Sequence, residues 1–108
     1  MDKVTVVQRL EHARARIAAL GVVRIALFGS VVRGEAGADS DVDLLVEFDP
    51  ERKSIHTFMA LADLLENLLH RPVDLVTTEG LSPFIGPHIL REAEDVLRIR
   101  PSVVDSHW

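Results

Sequence analysis

The sequence predicts a small α/β (α+β) domain in which helices flank one mixed β-sheet. Segments with helical spacing of apolar residues alternate with short segments rich in β-branched residues, and this alternation favours helices packed on a sheet. The 108 residues contain no repeat, linker or low-complexity stretch. This length suits a single hydrophobic core, so we expect residues 1–108 to form one domain.

Four segments have the features of helices. In the two long ones, apolar residues recur at steps of three and four: Val6, Leu10, Ala13, Ile17 and Leu20 in the first, and Ile55, Phe58, Ala62, Leu65 and Leu69 in the second. Gly21 is expected to end the first helix, and the second is predicted over 54–70 with Ser54 as its N-cap. Shorter helices are expected over 30–33 and 83–94.

Strands are expected between these helices, over 22–28, 41–48 and 73–77, because each stretch is mostly β-branched or otherwise apolar. A short fourth strand within 95–100 is a further candidate. Glu47, in the second of these strands, is expected at an exposed position.

The composition excludes several classes of function. Apolar residues make up 47% of the chain and charged residues 27%, which is typical of a globular protein. The formal net charge of -5 argues against direct nucleic-acid binding, which needs a basic surface. The absence of cysteine excludes disulfides and thiolate metal sites. No apolar run has the length of a membrane span, and the N-terminus lacks a signal-peptide pattern, so we expect a soluble cytoplasmic protein.

Asp41 and Asp43 stand at the start of the second predicted strand. Side chains alternate along a strand, so both carboxylates lie on one face and can reach a single cation. If the first two strands run antiparallel, this end of the sheet also meets Gly29 and Ser30. A parallel crossover through the long helix that follows would bring Asp74 to the same end. The alternative is a solvated strand start, where acidic residues serve turn chemistry alone.

A cluster of carboxylates favours a divalent cation and a phosphate ligand. Two like charges about 4 Å apart repel by about 4 kcal/mol at an effective dielectric constant of about 20. Oxygen ligands suit Mg²⁺, which combines carboxylates with the phosphates of a substrate. Gly29 lets a phosphate approach the backbone, and the N–H groups that begin the next helix can bind an anion. Ser30 adds a hydroxyl donor, and Arg33 lies one turn further on.

These residues resemble a known family. Gly29-Ser30, the segment RGEA at 33–36 and the segment SDVDLLVEF at 40–48 are similar to motifs of the nucleotidyltransferase superfamily typified by DNA polymerase beta. The resemblance implies the polymerase beta-like fold, ATP as the substrate and Mg²⁺ as the cofactor. It implies the following roles: Gly29 and Ser30 hold the triphosphate, Asp41 and Asp43 bind the metals, Asp74 is a metal ligand or general base, and Arg33 binds phosphate or braces the loop.

The chain looks most like the minimal nucleotidyltransferases (MNT), the antitoxins of HEPN–MNT toxin–antitoxin pairs. This resemblance implies that a partner HEPN toxin is the substrate, and that AMP is transferred to a tyrosine hydroxyl of the toxin in a type VII-like pair. Two alternatives are a non-catalytic antitoxin that neutralises the toxin by complex formation, and nucleotidyl transfer to a small molecule or RNA. Homo-oligomers and hetero-oligomers are both compatible with the sequence. The helix over 54–70 is apolar on more than one stripe, so it is either sandwiched within the domain or in contact with a partner.

Overall fold

A mixed sheet of four strands organises the fold. The computed structural model describes residues 2–34, 41–80 and 86–100. The strands are β1 (Val22–Phe28), β2 (Val42–Phe48), β3 (Val73–Thr77) and β4 (Glu94–Arg98). They lie in the order β3-β2-β1-β4, with β1 antiparallel to β2 and β4, and β2 parallel to β3. The predicted fold class is confirmed, and β2 begins one residue after the predicted start.

Helices precede the first strand and lie between the strands along the chain. Within the described residues they are α1 (Lys3–His12), α2 (Arg14–Ala19), α3 (Ser30–Arg33), α4 (Ile55–Leu69) and α5 (Gly86–Glu92), and a 3₁₀ turn over Thr78–Gly80 follows β3. None of these helices is both long enough and apolar enough to cross a membrane.

The single helix expected before β1 is wrong, because the chain forms two helices with a break at Ala13. Ala13 has φ -106° and ψ 17°, outside the helical region, and its N–H bonds to the carbonyl oxygen of Leu10 at 3.1 Å. Val6, Leu10 and Ile17 are fully buried on either side of the break. Side-chain periodicity therefore survives the break, and for this reason the spacing alone could not reveal it.

Helix α4 confirms the predicted crossover between β2 and β3. A capping box begins it: the Thr57 N–H donates to Ser54 Oγ at 3.1 Å, and the Ser54 N–H donates to Thr57 Oγ1 at 2.9 Å. His70 ends the helix in the left-handed region, with φ 56°. Because the crossover is parallel, β2 and β3 both begin at the same edge of the sheet.

Most of the apolar surface of α4 lies inside the domain. Its buried residues are Leu61, Leu65 and Leu69, and three partly buried residues pack against the core: Phe58, Leu64 and Leu68. Met59, in contrast, is 60% exposed. Ile55, one turn before Met59, is 65% exposed. The sandwiched interpretation therefore holds for all of this surface except its first turns.

Alternation along β2 separates the core from the candidate site. Its core-facing side chains are Val42, Leu44, Val46 and Phe48, which join the cluster formed with α1, α2 and α4. Asp43, Leu45 and Glu47 occupy the opposite face of the strand.

Glu47 is buried, contrary to the expectation of an exposed position. Only 7% of the residue is exposed, and its Oε1 accepts a hydrogen bond from Arg24 Nε at 3.0 Å. The sheet register explains this, since Arg24 on β1 is the direct partner of Glu47. Arg24 also donates to Asp95 at 3.0 Å, so the buried carboxylate belongs to a network across three strands.

The end of the chain differs in part from the prediction. Helix α5 is observed over Gly86–Glu92, while the predicted start of this helix falls within 81–85, outside the described residues. The predicted helix included Glu94, but Glu94 instead begins β4, where it pairs with Leu27. The short strand expected within 95–100 is confirmed, shifted to Glu94–Arg98.

Candidate active site

Asp43 lies between residues of both adjacent strands. Its register partners are Phe28, the last residue of antiparallel β1, and Asp74 on parallel β3. Neighbouring strands are about 4.8 Å apart, so the carboxylates of Asp43 and Asp74 are neighbours on one face of the sheet. Asp41 is exposed immediately before β2. The antiparallel and parallel pairings expected from the sequence therefore bring the three aspartates to one end of the sheet.

Gly29 places its backbone directly against Asp43. Its φ is 78°, a conformation that side chains of L-residues rarely adopt. A Cβ at this position would overlap Asp43 Oδ2 and would lie 2.9 Å from Asp43 Cγ. Glycine is required here both by the backbone conformation and by the space that the carboxylate fills.

Helix α3 follows Gly29 without an intervening loop. The Arg33 N–H donates to the Gly29 carbonyl oxygen at 3.2 Å, and Gly34, with φ 73°, ends the helix. Ser30, at the first position of α3, is partly buried. The short helix predicted over 30–33 is thus confirmed, and it carries Ser30 and Arg33 next to Asp43.

The electrostatics of this end of the sheet are unfavourable to a bare carboxylate. Burial raises the pKa of Asp43, the negative charges of Asp74 and Asp41 raise it further, and the Arg33 guanidinium opposes them. A bound cation would remove this repulsion. The charge at this end of the sheet therefore favours the binding of a positive ion.

The donor set fits Mg²⁺ that is shared with a phosphate ligand. In the part of the chain that the structure describes, no group of three or more acidic or histidine side chains is arranged to hold a metal ion by itself. Mg²⁺ is commonly held by one or two carboxylates together with substrate phosphates and water, which demands less of the protein. Asp43 and Asp74 are the neighbouring carboxylates that could supply this share of the ligands.

The structure adds one residue that the sequence analysis missed. Arg33 Nη1 donates to Glu92 Oε1 at 2.5 Å, joining the end of α3 to the end of α5. Glu92 Oε2 also lies 3.8 Å from His88 Nε2. Nothing in the local sequence marks Glu92, because its partner lies 59 positions away.

Comparisons with known proteins show that the chain is similar to nucleotidyltransferases. Residues 9–99 match the family model described as nucleotidyltransferase domain. Over 72 residues the chain is 50% identical to the protein adenylyltransferase MntA of Thermococcus cleftensis, which corresponds to 67% of this chain and 72% of that protein.

Solved structures share the fold. One, provisionally described as a minimal nucleotidyltransferase, has a TM-score of 0.74 at 44% identity and covers 87% of this chain and 95% of its own. A toxin–antitoxin crystal structure with AMP-PNP has a TM-score of 0.67 at 20% identity, covering 99% and 79%. A complex of a tri-AMPylated Shewanella oneidensis HEPN toxin with an MNT antitoxin has a TM-score of 0.55 at 18% identity, covering 90% and 76%. At the two lower identities, the likeness is one of fold.

Proposed function

Because the chain belongs to the nucleotidyltransferase domain family, as its motifs predicted and the match over residues 9–99 confirms, we propose that it is a Mg²⁺-dependent protein adenylyltransferase. It transfers AMP from ATP to a hydroxyl group, a tyrosine of a partner HEPN toxin, and so acts as the antitoxin of the pair. The observation that carries this proposal is the contact between the Gly29 backbone and Asp43, with Asp74 beside Asp43 on the next strand.

Each site residue has a role in this proposal. Gly29 and Ser30 hold the triphosphate at the start of α3, where close approach to the backbone is possible. Asp41 and Asp43 supply carboxylates that hold Mg²⁺, and Asp74 is a further metal ligand or the general base. Bound Mg²⁺ would neutralise phosphate charge and stabilise the attacking and leaving oxygens.

The proposed reaction is an in-line displacement at the α-phosphorus of ATP. The acceptor hydroxyl oxygen forms a bond to this phosphorus, the bond to the bridging oxygen breaks, and pyrophosphate leaves. The hydroxyl proton must pass to a base. Asp74 is exposed at the start of β3, and its carboxylate is therefore open to an incoming acceptor.

Two observations support a protein as the acceptor. A relative at 50% identity carries the name protein adenylyltransferase. A chain of similar fold occurs in a complex with a HEPN toxin that carries AMP. Because ATP is the proposed donor, we place the reaction in the cytoplasm.

Intact mass spectrometry tests the proposal. The purified chain is incubated with ATP, Mg²⁺ and a HEPN protein whose binding has been established by co-purification. The expected product is a toxin carrying AMP on a tyrosine, located by peptide mapping. The Asp41→Asn/Asp43→Asn double variant and a reaction with excess EDTA should give no adduct. An unmodified toxin after incubation with the wild-type chain would overturn the catalytic proposal.

A cell-protection assay separates catalysis from neutralisation by binding. Cells that express the toxin together with the wild-type chain should grow, whereas cells that express it with the double variant should not. If the double variant is folded, binds the toxin and still protects the cells, the chain is a binding antitoxin instead.

A further inference from the structure

We propose that Glu92 is a positioning residue for the nucleotide, because it holds the Arg33 guanidinium at the Asp43 end of the sheet. This inference rests on the proposed function, in which the triphosphate binds beside α3. It gives α5 a part in nucleotide binding, although none of the site residues predicted from the sequence lies on this helix.

The topology brings these two residues together. Strands β1 and β4 are antiparallel, and Leu27 near the end of β1 pairs with Glu94 at the start of β4. Glu92 is the last residue of α5 and precedes Glu94 by two residues. It therefore lies at the same end of the sheet as Gly29 and the start of α3. The contact of 2.5 Å between Arg33 Nη1 and Glu92 Oε1 follows from this placement.

The two partners differ in exposure in a way that suits this role. The side chain of Glu92 is only 16% exposed, whereas that of Arg33 is 46% exposed. The carboxylate is thus fixed within the domain, and the guanidinium that it holds still faces solvent at the site. An arginine held in advance loses less rotamer freedom when a phosphate binds.

The position of Glu92 is electrostatically unfavourable without Arg33. A carboxylate at the last residue of a helix meets the negative end of the helix dipole. Glu92 also lies close enough to Asp43 to oppose its ionisation. Arg33 offsets both effects at contact distance, and His88 lies 3.8 Å from the second carboxylate oxygen.

Calorimetric titration with Mg²⁺-ATP, without any acceptor protein, tests the inference. Glu92→Gln keeps the size of the side chain and removes its charge, and we expect it to weaken nucleotide affinity by about fivefold, the scale of a partly exposed ion pair. Glu92→Asp, which keeps the charge, should recover part of the loss. In an Arg33→Gln background, Glu92→Gln should cause no further loss of nucleotide affinity, because Glu92 positions the nucleotide through Arg33. An unchanged or tighter affinity of Glu92→Gln, or losses that multiply independently, would overturn the inference.

A charge exchange separates positioning from simple stabilisation. Arg33→Glu combined with Glu92→Arg keeps an ion pair between α3 and α5 but moves the guanidinium to α5. We expect this variant to regain the wild-type melting temperature while its nucleotide affinity stays reduced. Recovery of both would show that the pair only fastens two helices together. A wild-type chain that binds no Mg²⁺-ATP would overturn the proposed function as well, whereas normal wild-type binding with unaltered Glu92→Gln binding would overturn this inference alone.

Discussion

The backbone of Gly29 lies against the carboxylate of Asp43, so closely that a Cβ on Gly29 would overlap Asp43 Oδ2. This contact joins the segment that follows β1 to the second residue of β2. It brings the predicted phosphate-binding residue and the predicted metal ligand together, although 13 residues, 30–42, lie between them in the chain.

Substitution of Gly29 by alanine should damage both the fold and nucleotide binding. The positive φ of 78° costs about 1 kcal/mol with a side chain, and displacement of Asp43 adds to this cost, so we expect a loss of about 2 kcal/mol or more in the free energy of unfolding. Gly34→Ala is the matched control, because Gly34 has φ 73° but nothing lies within 4 Å of its Cβ position. The control should lose only about 1 kcal/mol. Equal losses in urea denaturation would contradict the steric argument.

Removal of the Asp43 charge should stabilise the protein at neutral pH while it abolishes transfer. Burial and two neighbouring aspartates raise the pKa of Asp43 above its ordinary value of 3.8, so the folded state binds this proton more tightly than the unfolded chain. The free energy of unfolding therefore falls as the pH rises from the unfolded pKa through the folded pKa. Asp43→Asn should be more stable than wild type above this window, by at most about 1 kcal/mol because solvent screens the site.

Asp63→Asn, an exposed substitution on α4, serves as the control for this measurement. At neutral pH this variant should not show the gain in the free energy of unfolding that we expect for Asp43→Asn. A neutral-pH stability of Asp43→Asn below that of wild type would argue against repulsion at this site.

Mg²⁺ with ATP should stabilise the wild-type chain but not Asp43→Asn. A ligand that binds only the folded state adds about 2.7 kcal/mol to the free energy of unfolding at a hundredfold excess over its Kd. Thermal denaturation with increasing Mg²⁺-ATP measures this effect. The same rise in melting temperature in Asp43→Asn would place the binding site elsewhere.

Asp74→Asn should separate a base from a metal ligand. Asp74 is exposed beside Asp43, and a general base contributes about 100-fold or more to rate. We expect transfer to slow by about that factor while Mg²⁺-ATP affinity changes by less than about threefold. A parallel loss of affinity and rate, as we expect for Asp41→Asn, would instead make Asp74 a metal ligand.

Glu47→Gln should destabilise the fold without affecting nucleotide binding. Glu47 is buried and accepts a hydrogen bond from Arg24, whose side chain is 18% exposed. Loss of one charge from a mostly buried ion pair lowers the free energy of unfolding by about 1 to 3 kcal/mol. Glu11→Gln breaks a pair with Arg14 in which both side chains are 45% exposed, and it should cost less than about 0.5 kcal/mol. Similar losses in chemical denaturation would show that burial of Glu47 does not strengthen its pairing.

The positions of Gly29, Asp41, Asp43 and Asp74 in the fold were largely predictable because the sequence signals for them are local. A glycine directly after an apolar segment indicates where the first strand ends. Two aspartates spaced by one residue at the start of the next strand must lie on the same face, because side chains alternate along a β-strand. The capping box at Ser54 and the helical spacing after it likewise predicted α4, and with it the parallel crossover that brings Asp74 to Asp43.

The residues that were predicted incorrectly or missed have partners far away in the chain. Glu47 was expected in solvent because its neighbours in sequence do not reveal Arg24 across the sheet. The break at Ala13 leaves the spacing of buried side chains unchanged. Glu92 has no local motif, and only the closure of β4 onto β1 brings it to Arg33.

The sequence by itself therefore determined most of the helices and strands and the face of β2 on which Asp43 lies, and it indicated the metal and phosphate chemistry that we propose. The tertiary structure alone decided two charge pairings, Glu47 with Arg24 and Glu92 with Arg33. The physical reason is that backbone propensity and side-chain periodicity act over a few residues, whereas the burial and pairing of a charge depend on whatever the folded chain places beside it.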